Sequence, residues 1–290
     1  MTDSPSNYII PQNWGHYTQA EHGVWRTLFE RQKKILPGRA CDAFFQGVER
    51  LGLEPDRIPD FEELSRRLNK ITGWEVVAVP GLVPHAVFYE MLANRQFPAG
   101  SFIRTPEQLD YIQEPDVFHD VFGHVPLLSD PIFAEYLQAF GMGGHNAEEM
   151  GLVDILARVY WFTVEFGIMR KGNGFEIYGA GIVSSKTESV FCVESDSPNR
   201  IAFDLARMMR TEYRIDDLQP TYFVIDNFDQ LLQLADVSFK PFYDIALREP
   251  SIPMGTIIDS DRVFTRGTLA YHHQVMNAQK TTPTTHASGY

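Results

Sequence analysis

Apolar residues recur at helical spacing over most of the chain. Trp25, Leu28, Phe29 and Leu36 fall on one stripe, and Phe44, Val48 and Leu51 on another. Phe61, Leu64, Leu68 and Ile71 step by three, four and three residues behind Asp60, with Glu63 at the capping-box position. These stripes predict three amphipathic helices before residue 75. Thr105, Pro106 and Gln108 mark a further capped start. Asp130-Pro131 opens another helix, with Ile132, Phe133, Tyr136, Leu137 and Phe140 on its apolar side and Gly141 as its expected end. Asn146 is the expected cap of a long apolar helix, "GLVDILARVYWFTVEFGIM", residues 151–169.

Strand signals are short. "EVVAVPGLVP" (75–84) is β-branched and broken by Pro and Gly, which predicts a strand running into a loop. "FEIYGAGIVSS" (175–185) reads as a strand and a Gly-rich turn, and "PTYFVIDNF" (220–228) as a strand ahead of the helix "FDQLLQLAD". No internal repeat and no Pro/Ser-rich linker divides the middle. The pattern predicts a mainly α fold with short β-strands (α+β). A single domain is expected over 21–268, between an extended arm at 1–20 and a tail at 269–290. The last stretch of that tail, "TTPTTHASGY", is polar and expected to be disordered.

Composition narrows the function classes. In 290 residues, 44% hydrophobic and 13% aromatic content allows a large core. A net charge of −13 argues against nucleic acid or an anionic membrane as partner. The long apolar stretch carries Asp154, Arg158 and Glu165, which argues against a membrane span. Two cysteines, Cys41 and Cys192, suit a reducing compartment, and the N-terminus has no basic, apolar signal pattern. A cytoplasmic location is the expectation.

The chemistry centres on "VFHDVFGHVPLL", residues 117–128. His119 and His124 stand five apart, roughly 140° around an α-helix at about 100° per residue. Asp116 can cap a short helix, Gly123 permits its end, and Pro126 blocks its resumption. On that reading His124 sits just past the terminus and swings back beside His119. Glu165 lies in an apolar stretch, where a buried carboxylate needs a cation or a changed protonation state. Two imidazoles and one carboxylate form the facial triad of non-haem Fe(II) sites, and equally a catalytic zinc site with one open position. Spacing alone does not choose. Blander roles are open too: Arg158 or Arg170 could pair with Glu165, Trp161 and Phe166 could be core, and Ser184 and Ser185 an ordinary turn. His16, His22, His85, His145, His272 and His273 read as surface or loop residues.

"EPDVFHDVFGHVPLLSD", followed by "YWFTVEFGI" and "YGAGIVSS", resembles the catalytic domain of the pterin-dependent aromatic amino acid hydroxylases, from about Tyr17 to about Phe242. It is most similar to the bacterial, phenylalanine-hydroxylating branch. The resemblance implies hydroxylation of L-phenylalanine to L-tyrosine with O2, Fe(II) and a tetrahydropterin. His119, His124 and Glu165 would hold iron, with Tyr160 beside them as a further catalytic residue. Arg104 would hold the substrate carboxylate. Pro115, His119, Trp161, Phe166, Gly181, Ser184 and Ser185 would line the amino-acid pocket. Gly81, Leu82, Val83, His85 and Phe88, with Asp120, Ala157 and Tyr160, would bind the pterin. Asp120 stands where animal enzymes carry Glu, and Pro98 where they carry a pterin-site His. Ile215, in "EYRIDDLQP", falls where tyrosine hydroxylases carry an acid, which favours phenylalanine. The animal enzymes' regulatory domain and tetramerisation helix are not expected here, and a monomer is the expectation. Tryptophan or tyrosine hydroxylation is the alternative within the family. Outside it stand a zinc hydrolase using the same His/His/Glu set, with Asp120 or Glu114 as base, and a binding protein with a structural metal.

Overall fold

The computed structural model describes residues 4–281. Helices α1 (Gln19–Ile35), α2 (Asp42–Leu51) and α3 (Phe61–Thr72) form where the three stripes lie. Asp60 caps α3, its carboxylate accepting from Glu62 N at 2.9 Å. Glu63 does not complete a capping box; it pairs with Arg67 one turn on. Ile71 is turned to solvent, and Thr72 occupies the buried position, donating to Leu128 O at 2.7 Å.

Strand β1 (Glu75–Val79) pairs in parallel with β2 (Gln96–Gly100) through α4 (His85–Ala93). The expected loop after β1 therefore ends at Pro84, and His85 and Phe88 sit in the first turn of α4. Pro98 is accommodated in β2 because that strand has one neighbour and an open edge. The capped start at Thr105 yields a short 3-10 turn, Pro106–Gln108.

Helix α5 (Pro131–Glu149) is capped by Asp130, which accepts from Ile132 N and Phe133 N. It does not end at Gly141. A Cβ there would lie 2.5 Å from Ala93 N, so the missing side chain lets α4 and α5 pack closely. Asn146 is correspondingly inside α5 and caps nothing. The long apolar stretch divides into α6 (Val153–Tyr160), a π-helical turn (Trp161–Glu165) and β3 (Ile168–Lys171).

Then follow β4 (Gly174–Ile177), α7 (Ala180–Val183), α8 (Glu188–Glu194), β5 (Asn199–Ala202) and α9 (Leu205–Arg210). The chain continues through β6 (Thr221–Ile225), α10 (Phe228–Leu232), α11 (Lys240–Arg248), β7 (Val263–Thr265) and α12 (Ala270–Thr281). The second sheet runs β4-β3-β6-β5-β7, with β6 parallel to both neighbours and the outer pairs antiparallel. The architecture is the mainly helical fold with short strands that the periodicity predicts. The N-terminal arm is pinned to the body by Trp14 Nε1 on Ile58 O and Gln12 Nε2 on Pro59 O. The polar end of the tail, from residue 282, lies outside the described residues.

One aromatic cluster positions the site. Phe118 stacks on Phe122 at 4.7 Å, and Trp25, Phe29 and Phe44 meet this pair edge-on at 5.2–5.5 Å. Residues 118–124 thereby keep their apolar face against α1 and α2 and their two histidines on the other side.

Candidate iron and amino-acid site

The spacing of His119 and His124 is explained by winding, and no helix end lies between them. Phe118–His124 forms a π-helical turn that runs on into a 3-10 turn, Val125–Ser129. Hydrogen bonds in a π-turn close from i to i+5, so residues five apart return to neighbouring positions. Gly123 does not terminate the helix; a Cβ there would lie 2.9 Å from Ala180 O, and its absence admits α7. Asp116 does not act chiefly as a cap either, although it accepts from His119 N at 3.0 Å. Its main partner is Arg104.

The two imidazoles meet with Nε2 atoms 3.2 Å apart. Glu165, at the end of the second π-turn, places Oε1 3.1 Å from His124 Nε2 and Oε2 3.6 Å from His119 Nε2. All three ligand atoms lie within 4.8 Å of one another. The tautomer of His119 follows from its neighbour. Ser184 donates its one hydroxyl hydrogen to Ala180 O at 2.8 Å, so it accepts from His119 Nδ1–H at 3.0 Å. Nε2 then carries a lone pair toward the centre. Burial, aided by the neighbouring His124, pushes the His119 pKa down to about 4, so the ring is neutral, as a ligand must be. Burial works against the charge on Glu165, yet the two histidines and the Gly181 amide hold its pKa below the usual range.

The donor set fits a cation. Neither arginine offered as an ordinary partner reaches Glu165: Arg158 donates to Met209 O, and Arg170 pairs with Asp226. Among the described residues the ion-pair partners of Glu165 are the two imidazoles alone.

A cavity of about 570 Å³ opens above this cluster. Arg104, Pro115, His119, Trp161, Phe166, Gly181, Ser184 and Ser185 all line it. Trp161 is held between Phe166 at 4.5 Å and Tyr213 at 4.4 Å, and donates from Nε1 to Gln219 Oε1. Arg104 is buried and spends its bidentate edge on Asp116: Nε donates to Oδ2 at 2.9 Å and Nη2 to Oδ1 at 2.8 Å. Its Nη1 makes no hydrogen bond among the described residues.

The model of the biopterin-dependent aromatic amino acid hydroxylases matches residues 7–242. The chain belongs to that family. It is 56% identical over 265 residues to the phenylalanine-4-hydroxylase of Caulobacter vibrioides, spanning 91% of this chain and 90% of that one. Against the phenylalanine-4-hydroxylase of Chromobacterium violaceum it is 54% identical over 243 residues, 84% of this chain and 82% of the other. A structure of the C. violaceum enzyme with bound iron and phenylalanine matches with a TM-score of 0.85 at 51% identity, covering 88% of this chain and 93% of that one. Another, with iron(III) and 7,8-dihydrobiopterin, matches at 0.86 and 52%, covering 91% and 95%.

The residues expected to bind pterin in this hydroxylase form a separate group. Of them, only Leu82 lines the 570 Å³ cavity, and it is 76% exposed. The amides of Gly81, Leu82 and Val83 have no hydrogen-bond partner among the described residues, so this backbone can bind an external acceptor. Phe88 meets Tyr160 edge-on at 5.4 Å, and Tyr160 lies 6.3 Å from the His124 ring, with Ala157 one turn earlier on α6. Asp120 accepts from Gly100 N at 2.8 Å, and burial raises its pKa to about 7. His85 is exposed at the start of α4. Sequence reasoning missed several groups: Glu188 and Tyr271, which line the cavity, and Asp116 and Gln219, which hold the lining residues Arg104 and Trp161 from behind. Asp116 looked like a local cap because its partner is 12 residues away. Gln219 and Glu188 carry no local signal. Tyr271 lies in a segment read as tail.

Proposed function

We propose that the chain is a phenylalanine 4-monooxygenase, converting L-phenylalanine, O2 and a tetrahydropterin into L-tyrosine and a hydroxylated pterin. The observation carrying this reading is the His119/His124/Glu165 cluster at the floor of an aromatic cavity edged by a buried arginine. The strong likeness to phenylalanine-4-hydroxylases supports the substrate assignment.

In this reading the three side chains would hold Fe(II). Iron and reduced pterin together supply the activation of O2. The chain's own residues bind, orient and exclude water. Ser184 keeps the His119 lone pair inward. Arg104, braced by Asp116, offers Nη1 to the substrate carboxylate. Pro115, His119, Trp161 and Phe166 flank the substrate ring, with Ser185 at the wall. Gly181 leaves room, since a Cβ there would lie 3.0 Å from Phe166 Cζ and 3.1 Å from Glu165 Oε2. The amides of Gly81, Leu82 and Val83 read the pterin's edge and Phe88 its face, while His85, Asp120, Ala157 and Tyr160 bound that side. Tyr160 serves there as a neutral phenol, its pKa raised by burial and by the nearby Glu165. Positioning and an apolar wall are the contribution of the protein. The hydrolase alternative would need Asp120 or Glu114 as its base, and the 54–56% identity to phenylalanine-4-hydroxylases weighs against it.

An arm at 1–20 and a catalytic domain from 21 belong to the same proposal, as do a monomeric state and a cytoplasmic location; the domain extends past the expected boundary at 268, because Tyr271 lines the cavity. Both cysteines are buried free thiols, which suits a reducing compartment. No helix among the described residues is long and apolar enough to cross a membrane. The test is chromatographic detection of products from Phe, Tyr and Trp with Fe(II), tetrahydropterin and O2. Tyrosine from phenylalanine is expected as the dominant product. Silence toward phenylalanine, or preference for tryptophan, overturns the assignment.

A further inference from the structure

One edge of the amino-acid cavity comes from outside the residues matched by the family model, which end at 242. Tyr271, in the first turn of α12, lines the cavity together with Ile215, Asp216, Asp217 and Leu218 of the loop between α9 and β6. Its hydroxyl donates to Asp217 Oδ1 at 2.6 Å. His272, buried beside it, donates from Nε2 to Leu218 O at 2.8 Å. Asp217 is fixed from inside as well: Oδ1 accepts from Leu218 N at 2.8 Å and Oδ2 lies 3.4 Å from Arg214 Nη2.

The clasping segment is itself anchored. Leu269 N and Thr268 N donate to Ser197 O and Asp196 O at 2.9 Å, and Tyr271 N to Ser197 Oγ at 3.1 Å. Phe191 of α8 meets the Tyr271 ring at 5.3 Å and His272 at 6.0 Å. Beyond Leu218 the loop reaches the cavity's inner wall. Gln219 donates its backbone N–H to buried Glu188 and accepts from the Trp161 indole.

We propose that the start of α12 is a clasp on the substrate-selecting loop, and that Tyr271, through Asp217, is a positioning residue for the amino acid. The proposal rests on the phenylalanine reading above. Ile215 is 66% exposed and belongs to none of the hydrophobic clusters among the described residues. Its place over the cavity depends on the loop, and the loop is held by Tyr271 and His272. Releasing the clasp lets Ile215 and Leu218 drift from the ring, so amino-acid binding weakens and discrimination between phenylalanine and the larger tryptophan falls. The pterin side shares none of these contacts.

The test compares Tyr271→Phe, Asp217→Asn and the double variant with wild type, as full-length iron-loaded enzyme. Tyr271→Phe keeps the ring on Phe191 and removes only the hydroxyl. The expected result is a rise in KM for phenylalanine of roughly three- to tenfold, the size of one ordinary net hydrogen bond, because the Tyr271–Asp217 contact is only partly buried. The kcat should change less than twofold, KM for pterin should hold, and the Phe-over-Trp ratio of kcat/KM should fall. The double variant should be no worse than the worse single. An unchanged phenylalanine KM and ratio overturns the proposal. So does a parallel loss of kcat, both KM values and thermal midpoint, which is a merely structural role. Trypsin cleavage after Arg214, read by mass spectrometry, reports the loop without turnover. It should accelerate roughly tenfold in Tyr271→Phe, because cleavage tracks the open population; an unchanged rate refutes the clasp. A wild type silent toward phenylalanine removes the functional reading alone, and the cleavage rate still decides the clasp.

Discussion

Asp116→Asn probes the buried pair on which the amino-acid pocket is built. Asp116 is fully buried and accepts four hydrogen bonds: from Arg104 N, Nε and Nη2 at 2.8–2.9 Å and from His119 N at 3.0 Å. Asparagine keeps the shape but removes the charge, and turns an N–H2 group toward donors. Arg104, 6% exposed, is then a buried cation without a counter-charge. Removing one member of such a pair costs about 3 to 5 kcal/mol. At ~2.1 cal/mol/K per residue, 290 residues have an unfolding entropy near ~0.6 kcal/mol/K, so the thermal midpoint should fall by about 5 to 8 °C. Burial alone pushes the Asp116 carboxyl up, but the hydrogen bonds and charge of Arg104 outweigh it and hold the pKa below the usual range. A depressed carboxyl stabilises the fold above its unfolded pKa, about 4, and the contribution is lost as pH falls through the folded value. The variant should lack that acid limb. The assay is calorimetric unfolding at several pH values, with KM for phenylalanine measured alongside; KM should rise because Arg104 loses its brace. A midpoint within about 1 °C of wild type, with unchanged acid sensitivity, would refute the reasoning that this pair is charged and structurally essential.

Further outcomes follow from other parts of the molecule. Glu165→Gln keeps the volume but removes the carboxylate of the proposed iron site, so Fe(II) affinity measured by anaerobic titration should drop at least about tenfold while circular dichroism is unchanged. Glu188 is buried among Tyr222 and Gln219, and burial raises its pKa from 4.5 to about 7. Wild-type stability should therefore fall by up to about 3 kcal/mol between pH 4.5 and 7 and then level, and Glu188→Gln should flatten that slope in denaturant melts. Gly141→Ala should destabilise by about 1 to 3 kcal/mol despite alanine's better helix propensity, because the new Cβ meets Leu92 and Ala93; an unchanged urea midpoint would show that α4 and α5 can part freely.

The early helices were legible because each buries one stripe against the core. Trp25, Leu28 and Phe44 announce themselves by spacing, and Asp60 and Asp130 by capping chemistry. Glu165 was legible as a carboxylate isolated in an apolar stretch. The π-turns were not legible. Nothing local in "FHDVFGH" prefers i to i+5 winding; it accompanies the packing of Phe118 and Phe122 against Trp25, Phe29 and Phe44, residues distant in sequence. Strand β2 was hidden by Pro98, which an edge tolerates. Gly123 and Gly141 read as helix ends because glycine has two uses, and only the tertiary neighbour shows which applies. Asp116 and Tyr271 were misjudged for the same reason: each acts on a partner beyond the range of local pattern.

The central claim is that His119, His124 and Glu165 hold the iron on which hydroxylation depends. Metal-stripped enzyme should be titrated with Fe(II) or Zn(II) in the presence of tetrahydropterin, O2 and phenylalanine, while tyrosine is measured. Tyrosine formation should rise with Fe(II) to a break at one equivalent per chain and stay absent with Zn(II). Full turnover without metal, or with zinc alone, would contradict the account.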